Sequence, residues 1–462
     1  MNQNLFSSLI LQPELLDNLK SLQYHEMTPI QSLSLPSILQ GRDVIVQSKT
    51  GTGKTAAFAL GLLQNLDEHK FVIQSLVLCP TRELAGQVAN EIRKLARSIN
   101  NIKVLSLCGG VPVTAQTNSL AHGVHIVVGT PGRINDHLSK GSLDLRQVSM
   151  LVLDEADRML SMGFADALRT IIKRVPVKRQ TLLFSATYPA SIEALSKNVM
   201  TEPIMAQLKS THDNASIQQH FYRVDDDAQR LRAVRLLLLF FKPESAIVFC
   251  NTIMDVNLVT RELINNGFSA LALHGELDQR ERDQTLVQFS NKSVCTIVAT
   301  DVAARGLDID AVELVINYHT ARDSEVHIHR IGRTGRAGSK GIACSLYSEK
   351  EAYKVSLLET TVNPVFDHEP LPHVSILKRK FRNPAMTTLK INLGKKQKIR
   401  AGDIVGALTS ENGIAGDNVG KINLSDNWAY IAVKRTVEKI ALQKLNTDKI
   451  KGRRIKARKI GI

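Results

Sequence analysis

Short apolar runs recur along most of the chain and alternate with longer stretches in which apolar side chains return every third or fourth position. In the first part the clearest runs are Val44-Ile45-Val46, Leu76-Val77-Leu78, Ile126-Val127-Val128, Leu151-Val152-Leu153 and Leu182-Leu183-Phe184. Apolar strands separated by amphipathic helices predict a parallel sheet covered on both faces, in which ligands bind beyond the carboxyl ends of the strands. Near Met205 to Ile217 the pattern breaks into the polar stretch Lys209 to Ser216, which predicts a linker. A second series then follows, with runs at Ala246–Cys250, Ala270–Leu273, Thr296–Ala299, Leu314–Ile316 and Ile342–Cys344. The two series predict α/β domains over residues 1–208 and 217–364. Past a proline- and lysine-bearing connector from Pro364 to Pro384 the order becomes strand (389–393), helix (403–410), strand (420–424), strand (428–433), helix (437–445), strand (453–457). That order predicts a small α+β domain over residues 387–462.

Length and charge sharpen this picture. A chain of 462 residues exceeds what one core usually supports, which agrees with several domains. The longest apolar block, Leu236 to Phe241, cannot span a bilayer, and no basic region precedes the first apolar run, so the expectation is a cytoplasmic protein with no membrane partner. The net charge of +15 is unevenly placed. From Ser375 to Ile462 there are 21 Lys+Arg against 6 Asp+Glu, which leaves 38 against 38 before it. All of the excess therefore lies in the tail, which reads as a module for a polyanion, with nucleic acid the leading partner and an anionic membrane second. The five cysteines form no CxxC pair and mostly lie in or beside strand-like runs, which predicts buried thiols rather than disulfides or zinc.

The chemistry concentrates where strands end. After the first run comes Ser48-Lys49-Thr50-Gly51-Thr52-Gly53-Lys54-Thr55, followed by a helical pattern. Strand, glycine-bearing turn and helix form the context in which backbone N–H groups cradle a triphosphate; Lys54 would meet the outer phosphates and the Thr55 hydroxyl would ligate Mg²⁺. Asp154 and Glu155 directly follow the strand at 151–153. A carboxylate there is costly unless it meets a cation, so Asp154 would hold the metal through water and Glu155 would orient and deprotonate an attacking water. Ser185-Ala186-Thr187 ends another strand, where hydroxyls could bond to Asp157. Upstream, Gln31 offers a donor and an acceptor that could match an adenine edge, and Tyr24 could stack on the base. Pro80-Thr81-Arg82-Glu83-Leu84, Gly109-Gly110 and Thr130-Pro131-Gly132-Arg133 each place a hydroxyl, an arginine or bare amides at a strand-to-helix junction, where a phosphodiester backbone can be held without reading bases. The second half has no phosphate loop. It offers Arg333 and Arg336, read as one helical turn apart and pointing together, to meet a γ-phosphate from another domain.

These segments resemble the ordered motifs of the DEAD-box RNA helicases: the Q motif, the phosphate loop, PTREL, GG, TPGR, DEAD and SAT. The second half matches with Asn251-Thr252, His274-Gly275, Gln279-Arg280-Glu281-Arg282, Ala299 to Asp308, and His329 to Arg336. The resemblance implies two tandem RecA-like domains and an RNA-stimulated ATPase that uses ATP and Mg²⁺. It further implies RNA contacts near Arg82, Gly110, Thr130, Arg133, Thr252, Thr300 and Arg305, and a ribose contact from Asp308. With ATP held by Lys54 in one half and by Arg333 and Arg336 in the other, binding would favour a closed state and drive a conformational cycle.

The βαββαβ tail is similar to the RNA-recognition motif, a ferredoxin-like fold. Trp428 and Tyr430 stand where base-stacking aromatics of that family stand, although Leu389 and Ile391 supply no ring on the first strand. Rim residues including Lys395, Lys398, Arg400 and Arg453 are the other candidate RNA contacts. A helicase core joined to such a tail resembles a bacterial branch of the family, which implies a monomer that remodels a 23S ribosomal RNA hairpin in pre-50S particles during large-subunit assembly. The alternative is a general RNA helicase or chaperone in decay or translation, with the tail as a non-specific anchor.

Overall fold

The computed structural model describes residues 4–48, 51–208, 217–304, 312–335, 341–362 and 367–461. The chain divides into two compact units, the first built on one sheet and the second holding another sheet and the tail. In the first unit β1 (Val44–Gln47), β2 (Ser75–Leu78), β3 (Val104–Leu107), β4 (Ile126–Gly129), β5 (Met150–Leu153), β6 (Gln180–Ser185) and β7 (Ile204–Gln207) form a sheet in the order β3-β4-β2-β5-β6-β1-β7. Every pairing is parallel. Successive residues of the inner strands enter opposite cores: Val44 and Val46 pack on one face of the sheet and Ile45 on the other, as do Leu182 and Phe184 against Leu183. Each such side chain, taken fully out of water, contributes about 1.5–3 kcal/mol, which is why these runs are continuously apolar.

The second unit repeats the plan. β8 (Ile217–Arg223), β9 (Ala246–Cys250), β10 (Ala270–Leu273), β11 (Thr296–Thr300), β12 (Leu314–Asn317), β13 (Gly341–Tyr347) and β14 (Asp367–His368) run in the order β10-β11-β9-β12-β13-β8-β14, again all parallel. Counted from its own first strand, this is the permutation of the first sheet. Both are RecA-like domains, and the inner strands other than β8 are those the apolar runs foretell.

Of the strands without such a run, β3, β7 and β14 lie at sheet edges, where one flank is unpaired and the apolar pattern is weaker, whereas β8, with sequence IQQHFYR, lies inside the sheet between β13 and β14. Ile204 to Gln207, within the first expected domain but marked by no apolar run, forms β7 beside β1; the polar stretch 209–216, expected as the linker, lies outside the described residues. The apolar block Leu236 to Phe241 ends the helix Asp227–Phe241 and is buried from Leu236 to Leu239. Among the described residues no helix is long and apolar enough to cross a membrane.

In the tail, β15 (Met386–Ile391), β16 (Val419–Leu424), β17 (Ala429–Lys434) and β20 (Ala457–Lys459) form an antiparallel sheet in the order β16-β17-β15-β20. The helices Ala401–Thr409 and Glu438–Thr447 complete the βαββαβ plan. Leu389, Ile391, Ile431 and Val433 form the tail core with Ile404, Leu408 and Leu445 of those helices. Because side chains alternate, Thr388, Lys390, Tyr430 and Ala432 turn to the other face.

The last strand differs from expectation. Arg453–Arg454 (β19) pairs with Lys449–Ile450 (β18) in a hairpin, and the sheet is completed by Ala457–Lys459. The hairpin turn is Lys451-Gly452, with φ of +49° and +75°, the paired left-handed conformation that a two-residue turn demands.

Candidate nucleotide and RNA sites

β1 delivers the chain to Ser48, whose N–H donates to Ser185 O of β6. Lys49 and Thr50 lie outside the described residues. Gly51 and Gly53 have φ of +84° and +91°, a backbone that costs an ordinary residue about 1–2 kcal/mol. Gly53 is constrained twice, because a Cβ there would stand 2.6 Å from Gln31 Nε2. Gln31 Nε2 donates to Gly53 O at 2.9 Å and Gln31 Oε1 accepts from Thr28 N–H at 2.8 Å, while Thr28 Oγ1 donates to Thr52 O at 2.7 Å. Gln31 thus ties the phosphate loop to the start of the helix Pro29–Leu39. Each of its amide atoms keeps capacity for one more bond, which is what an adenine edge requires.

Tyr24 is placed differently from expectation. Its hydroxyl donates to Glu91 Oε1 at 3.1 Å and accepts from Lys94 Nζ at 2.9 Å, and the same ammonium sits 4.8 Å from its ring centroid. The ring is taken up by the helix Arg82–Leu95 and packs on the core rather than standing ready for a base.

Lys54 opens the helix Lys54–Gln64 and is buried, with Nζ donating to Ser48 O at 2.5 Å. Burial pulls its pKa down, while the charges of Asp154, Glu155 and Asp157 hold it up. Asp154, at the end of β5, is 3 % exposed and its pKa is pushed up to about 7, first by burial and then by Glu155, with Lys54 opposing. A buried carboxylate that resists ionisation, beside a second acid, offers hard oxygen donors of the kind that fit a divalent cation, and Thr55 follows Lys54 in the first turn of the same helix.

Glu155 has φ of +52°, a strained left-handed conformation at the helix start, and its Oε2 accepts from Arg158 Nη1 at 2.7 Å in a buried ion pair. Asp157 Oδ2 accepts from Ala186 N–H, Thr187 N–H and Thr187 Oγ1, so the DEAD and SAT segments are joined. Ser185 Oγ, by contrast, is buried without a hydrogen-bond partner among the described residues.

The expected RNA-facing residues of the first unit gather around one loop. The Arg82 guanidinium lies over Gly109, where a Cβ would meet Nη2 at 2.9 Å. Gly110 has φ of +78°. Thr130 precedes the helix Pro131–Ser139, from which Arg133 Nη1 donates to Val111 O at 2.9 Å and to Gln116 Oε1 at 2.7 Å.

Gln116, which sequence reasoning missed, is the hub. Its Nε2 donates to Cys108 O at 2.9 Å and its Oε1 also accepts from His137 Nε2 at 3.0 Å. An amide oxygen only accepts, so His137 carries its proton on Nε2, and Nδ1 accepts from Ser142 Oγ at 2.8 Å. Nothing in the local pattern marks Gln116, since the contacts that make it important come from two other segments. Arg158 was also missed, though its place three residues after Glu155 on a helix was a usable signal.

In the second unit Thr252 and Thr300 stand at the carboxyl ends of paired strands, with Cys250 directly opposite Thr300. Thr252 caps the helix Ile253–Asn265. The helix expected to carry Arg333 and Arg336 ends at Ile331, so Arg333 follows in a turn and the helical-turn argument for that pair does not apply. Arg333 is buried, and Arg336, Arg305 and Asp308 lie outside the described residues. Arg330 is structural. It grips both oxygens of Asp301 at 2.6 and 2.8 Å, and donates to Asn251 Oδ1 and His319 O at 2.8 Å.

In the tail, Lys395, Lys396, Lys398 and Arg400 are exposed on the loop after β15, and Lys451, Arg453 and Arg454 are exposed on the hairpin. Lys451 Nζ donates to Lys398 O at 2.8 Å and pairs with Asp403 at 2.8 Å, which joins the two segments into one basic edge. Tyr430 is 2 % exposed, which corrects the expectation that its ring is offered to RNA.

Comparison with known proteins agrees with this assembly of motifs. The DEAD/DEAH box helicase family matches residues 28–195, the helicase conserved C-terminal domain residues 229–338, and the DbpA RNA binding domain residues 388–459. The chain belongs to the DEAD-box ATP-dependent RNA helicases. It is 48 % identical to the ATP-dependent RNA helicase DbpA of Escherichia coli (strain K12), covering 98 % of this chain and 99 % of that one. The namesake of Bacillus subtilis (strain 168) is 36 % identical over the same shares. Among solved structures, S. cerevisiae Dbp5 bound to RNA and ADP BeF3 superposes with a TM-score of 0.71 at 29 % identity, covering 80 % of this chain and 96 % of that one. The chain is therefore an RNA-stimulated ATPase and RNA helicase with a DbpA-type RNA-binding domain.

Proposed function

We propose that this helicase acts on 23S ribosomal RNA in pre-50S particles, directed there by its tail, in the cytoplasm and as a monomer. The observation that carries the reading is the DbpA RNA binding domain joined to an intact helicase core, with a basic edge at residues 395–400 and 451–454.

In the reaction, Lys54 and the amides of the phosphate loop bind the triphosphate, and Gln31 both holds that loop and meets the adenine. Thr55 and Asp154 would hold Mg²⁺, which when bound supplies positive charge against the phosphate oxygens. Glu155 takes a proton from the attacking water as the bond from water oxygen to the γ-phosphorus forms and the bond to the β-phosphate oxygen breaks, giving ADP and phosphate. Arg333 and Arg336 add guanidinium charge as the transition state develops. Nucleotide then favours the RNA-gripping state, and hydrolysis releases it. Arg82, Gly110, Thr130, Arg133, Thr252, Thr300 and Arg305 hold the RNA backbone, and Asp308 bonds the ribose.

Deleting residues 375–462 tests the targeting. ATPase stimulation by a 23S rRNA fragment is expected to fall to the level given by unrelated RNA. Equal stimulation by both RNAs in the full chain would favour general RNA use with the tail as an anchor.

A further inference from the structure

A carboxylate can take a proton from an attacking water only if it is aimed at that water. Glu155 follows β5 at the start of the short helix Ala156–Ser161, with φ of +52°, so its backbone already departs from the helix it opens. A glutamate side chain swings about three bonds, and a misplacement of about 1 Å at a reacting group costs on the order of a hundredfold in rate. In this fold Arg158 removes that freedom. From one helical turn further on its Nη1 donates to Glu155 Oε2 at 2.7 Å, with the two side chains 8 % and 11 % exposed. One carboxylate oxygen is held, and Oε1 is left to receive the proton.

Arg158 is itself anchored. Its N–H donates to Glu155 O at 3.1 Å and to Asp157 Oδ1 at 2.9 Å, and its carbonyl accepts from Ser161 Oγ at 3.0 Å. The other oxygen of Asp157 accepts from Ala186 N–H, Thr187 N–H and Thr187 Oγ1, just past the end of β6. The guanidinium therefore reaches Glu155 from a backbone tied to two neighbouring strands of the sheet. Stability does not account for the arrangement. Arg158 Nε and Nη2 are buried with no hydrogen-bond partner among the described residues. An orphaned buried donor is destabilising, and a buried ion pair is often no better than apolar side chains of the same volume. These costs, and the backbone strain at Glu155, fall on one pair of residues at the end of β5.

We infer that Arg158 is a positioning residue for the hydrolysis step: its guanidinium fixes Oε2 of Glu155 so that Oε1 is presented to the attacking water. This rests on the proposed role of Glu155 as the base. The effect belongs to turnover rather than to binding, because no hydrogen bond of Arg158 reaches the phosphate loop or the loop of Gly109 and Gly110.

In the full-length protein Arg158→Gln is expected to lower kcat at saturating ATP and RNA by ten- to a hundredfold. The dissociation constants of a fluorescent ATP analogue and of labelled RNA should change less than twofold. Arg158→Lys, which keeps the charge and loses the planar fork, should lie between, with kcat lowered severalfold. Single-turnover cleavage of labelled ATP reads the coupling. Glu155→Gln is expected to slow it at least a hundredfold, and adding Arg158→Gln should slow it less than twofold further, because the carboxylate through which Arg158 acts is already gone. Undiminished kcat in a folded Arg158→Gln protein would overturn the positioning role. Parallel losses in kcat and both affinities would do the same, as would a full second loss in the double variant. If Arg158→Gln does not fold, Arg158→Lys decides: a severalfold fall in kcat with both affinities intact supports the role, and wild-type kcat or losses in all three overturn it. Wild-type turnover in Glu155→Gln would remove the reading of Glu155 as the base, and the positioning role with it.

Discussion

Replacing Gln116 by Leu keeps nearly the same volume while removing every polar contact of the side chain. Three bonds are lost: Nε2 to Cys108 O at 2.9 Å, Arg133 Nη1 to Oε1 at 2.7 Å and His137 Nε2 to Oε1 at 3.0 Å. A hydrogen bond to a charged group contributes about 1.5–3 kcal/mol, and a buried donor left unpaired costs about 1–3 kcal/mol. His137 is fully buried, and burial together with Arg133 already pulls its pKa down, so its orphaned N–H finds no relief by charging. Arg133 keeps Val111 O at 2.9 Å and Asp136 at 3.5 Å, which softens the loss. We therefore expect a destabilisation of about 2–3 kcal/mol, or a fall in Tm of roughly 4–12 °C for a domain of this size.

The functional effect should be selective. With the tie to Cys108 O cut and Arg133 released, the loop carrying Gly109 and Gly110 loses its anchor. The RNA concentration giving half-maximal ATPase should rise on the order of tenfold, equivalent to about 1.4 kcal/mol. The KM for ATP at saturating RNA should stay the same, because none of these bonds reaches the phosphate loop. Measuring both constants below the melting transition decides the matter. An unchanged RNA requirement in a folded Gln116→Leu protein would refute the positioning role, and equal changes in both constants would reduce it to general stability.

Two further predictions concern the phosphate loop and pH. Gly53→Ala places a Cβ 2.6 Å from Gln31 Nε2 at a φ of +91°; backbone strain of about 1–2 kcal/mol plus a broken hydrogen bond of about 1 kcal/mol should weaken nucleotide binding roughly tenfold or more. Titration with a fluorescent nucleotide reads this, and wild-type affinity would contradict the structural account of the loop. His327 is buried against Gln219 Oε1 at 2.9 Å, and burial lowers its pKa to about 4. The unfolded chain, with an ordinary histidine near 6.5, then binds more protons between about pH 4 and 6.5, so stability is complete above that window and is lost as pH falls through it, by up to about 3 kcal/mol. Denaturant melts across this range should show the slope in the wild type and a shallower one in His327→Gln; parallel slopes would show that other groups carry it.

Much of this protein follows from local pattern. Most inner strands are buried on both faces, so their sequence must be continuously apolar, and the runs at 44–46, 76–78, 151–153 and 246–250 declare themselves. The phosphate loop is equally legible, because positive φ selects glycine at 51 and 53 and the loop lies within one stretch of chain. Edge strands such as β3 and β7 are half wet and carry no such requirement, which is why no apolar run announces Ile204 to Gln207. The spacing of Arg333 and Arg336 suggested one helix face, but a helix ends where packing and capping end it, and this one stops at Ile331.

Contacts between distant segments were left to the tertiary structure. Gln116 gains its role from Cys108, Arg133 and His137, and Tyr24 loses its expected one to Glu91 and Lys94. Tyr430 alternates on its strand as an RNA-binding ring should, and composition alone could not reveal that the fold leaves it 2 % exposed. The reason is physical: a residue's neighbours along the chain set its conformation, while its freedom to bind is set by whatever the fold brings against it.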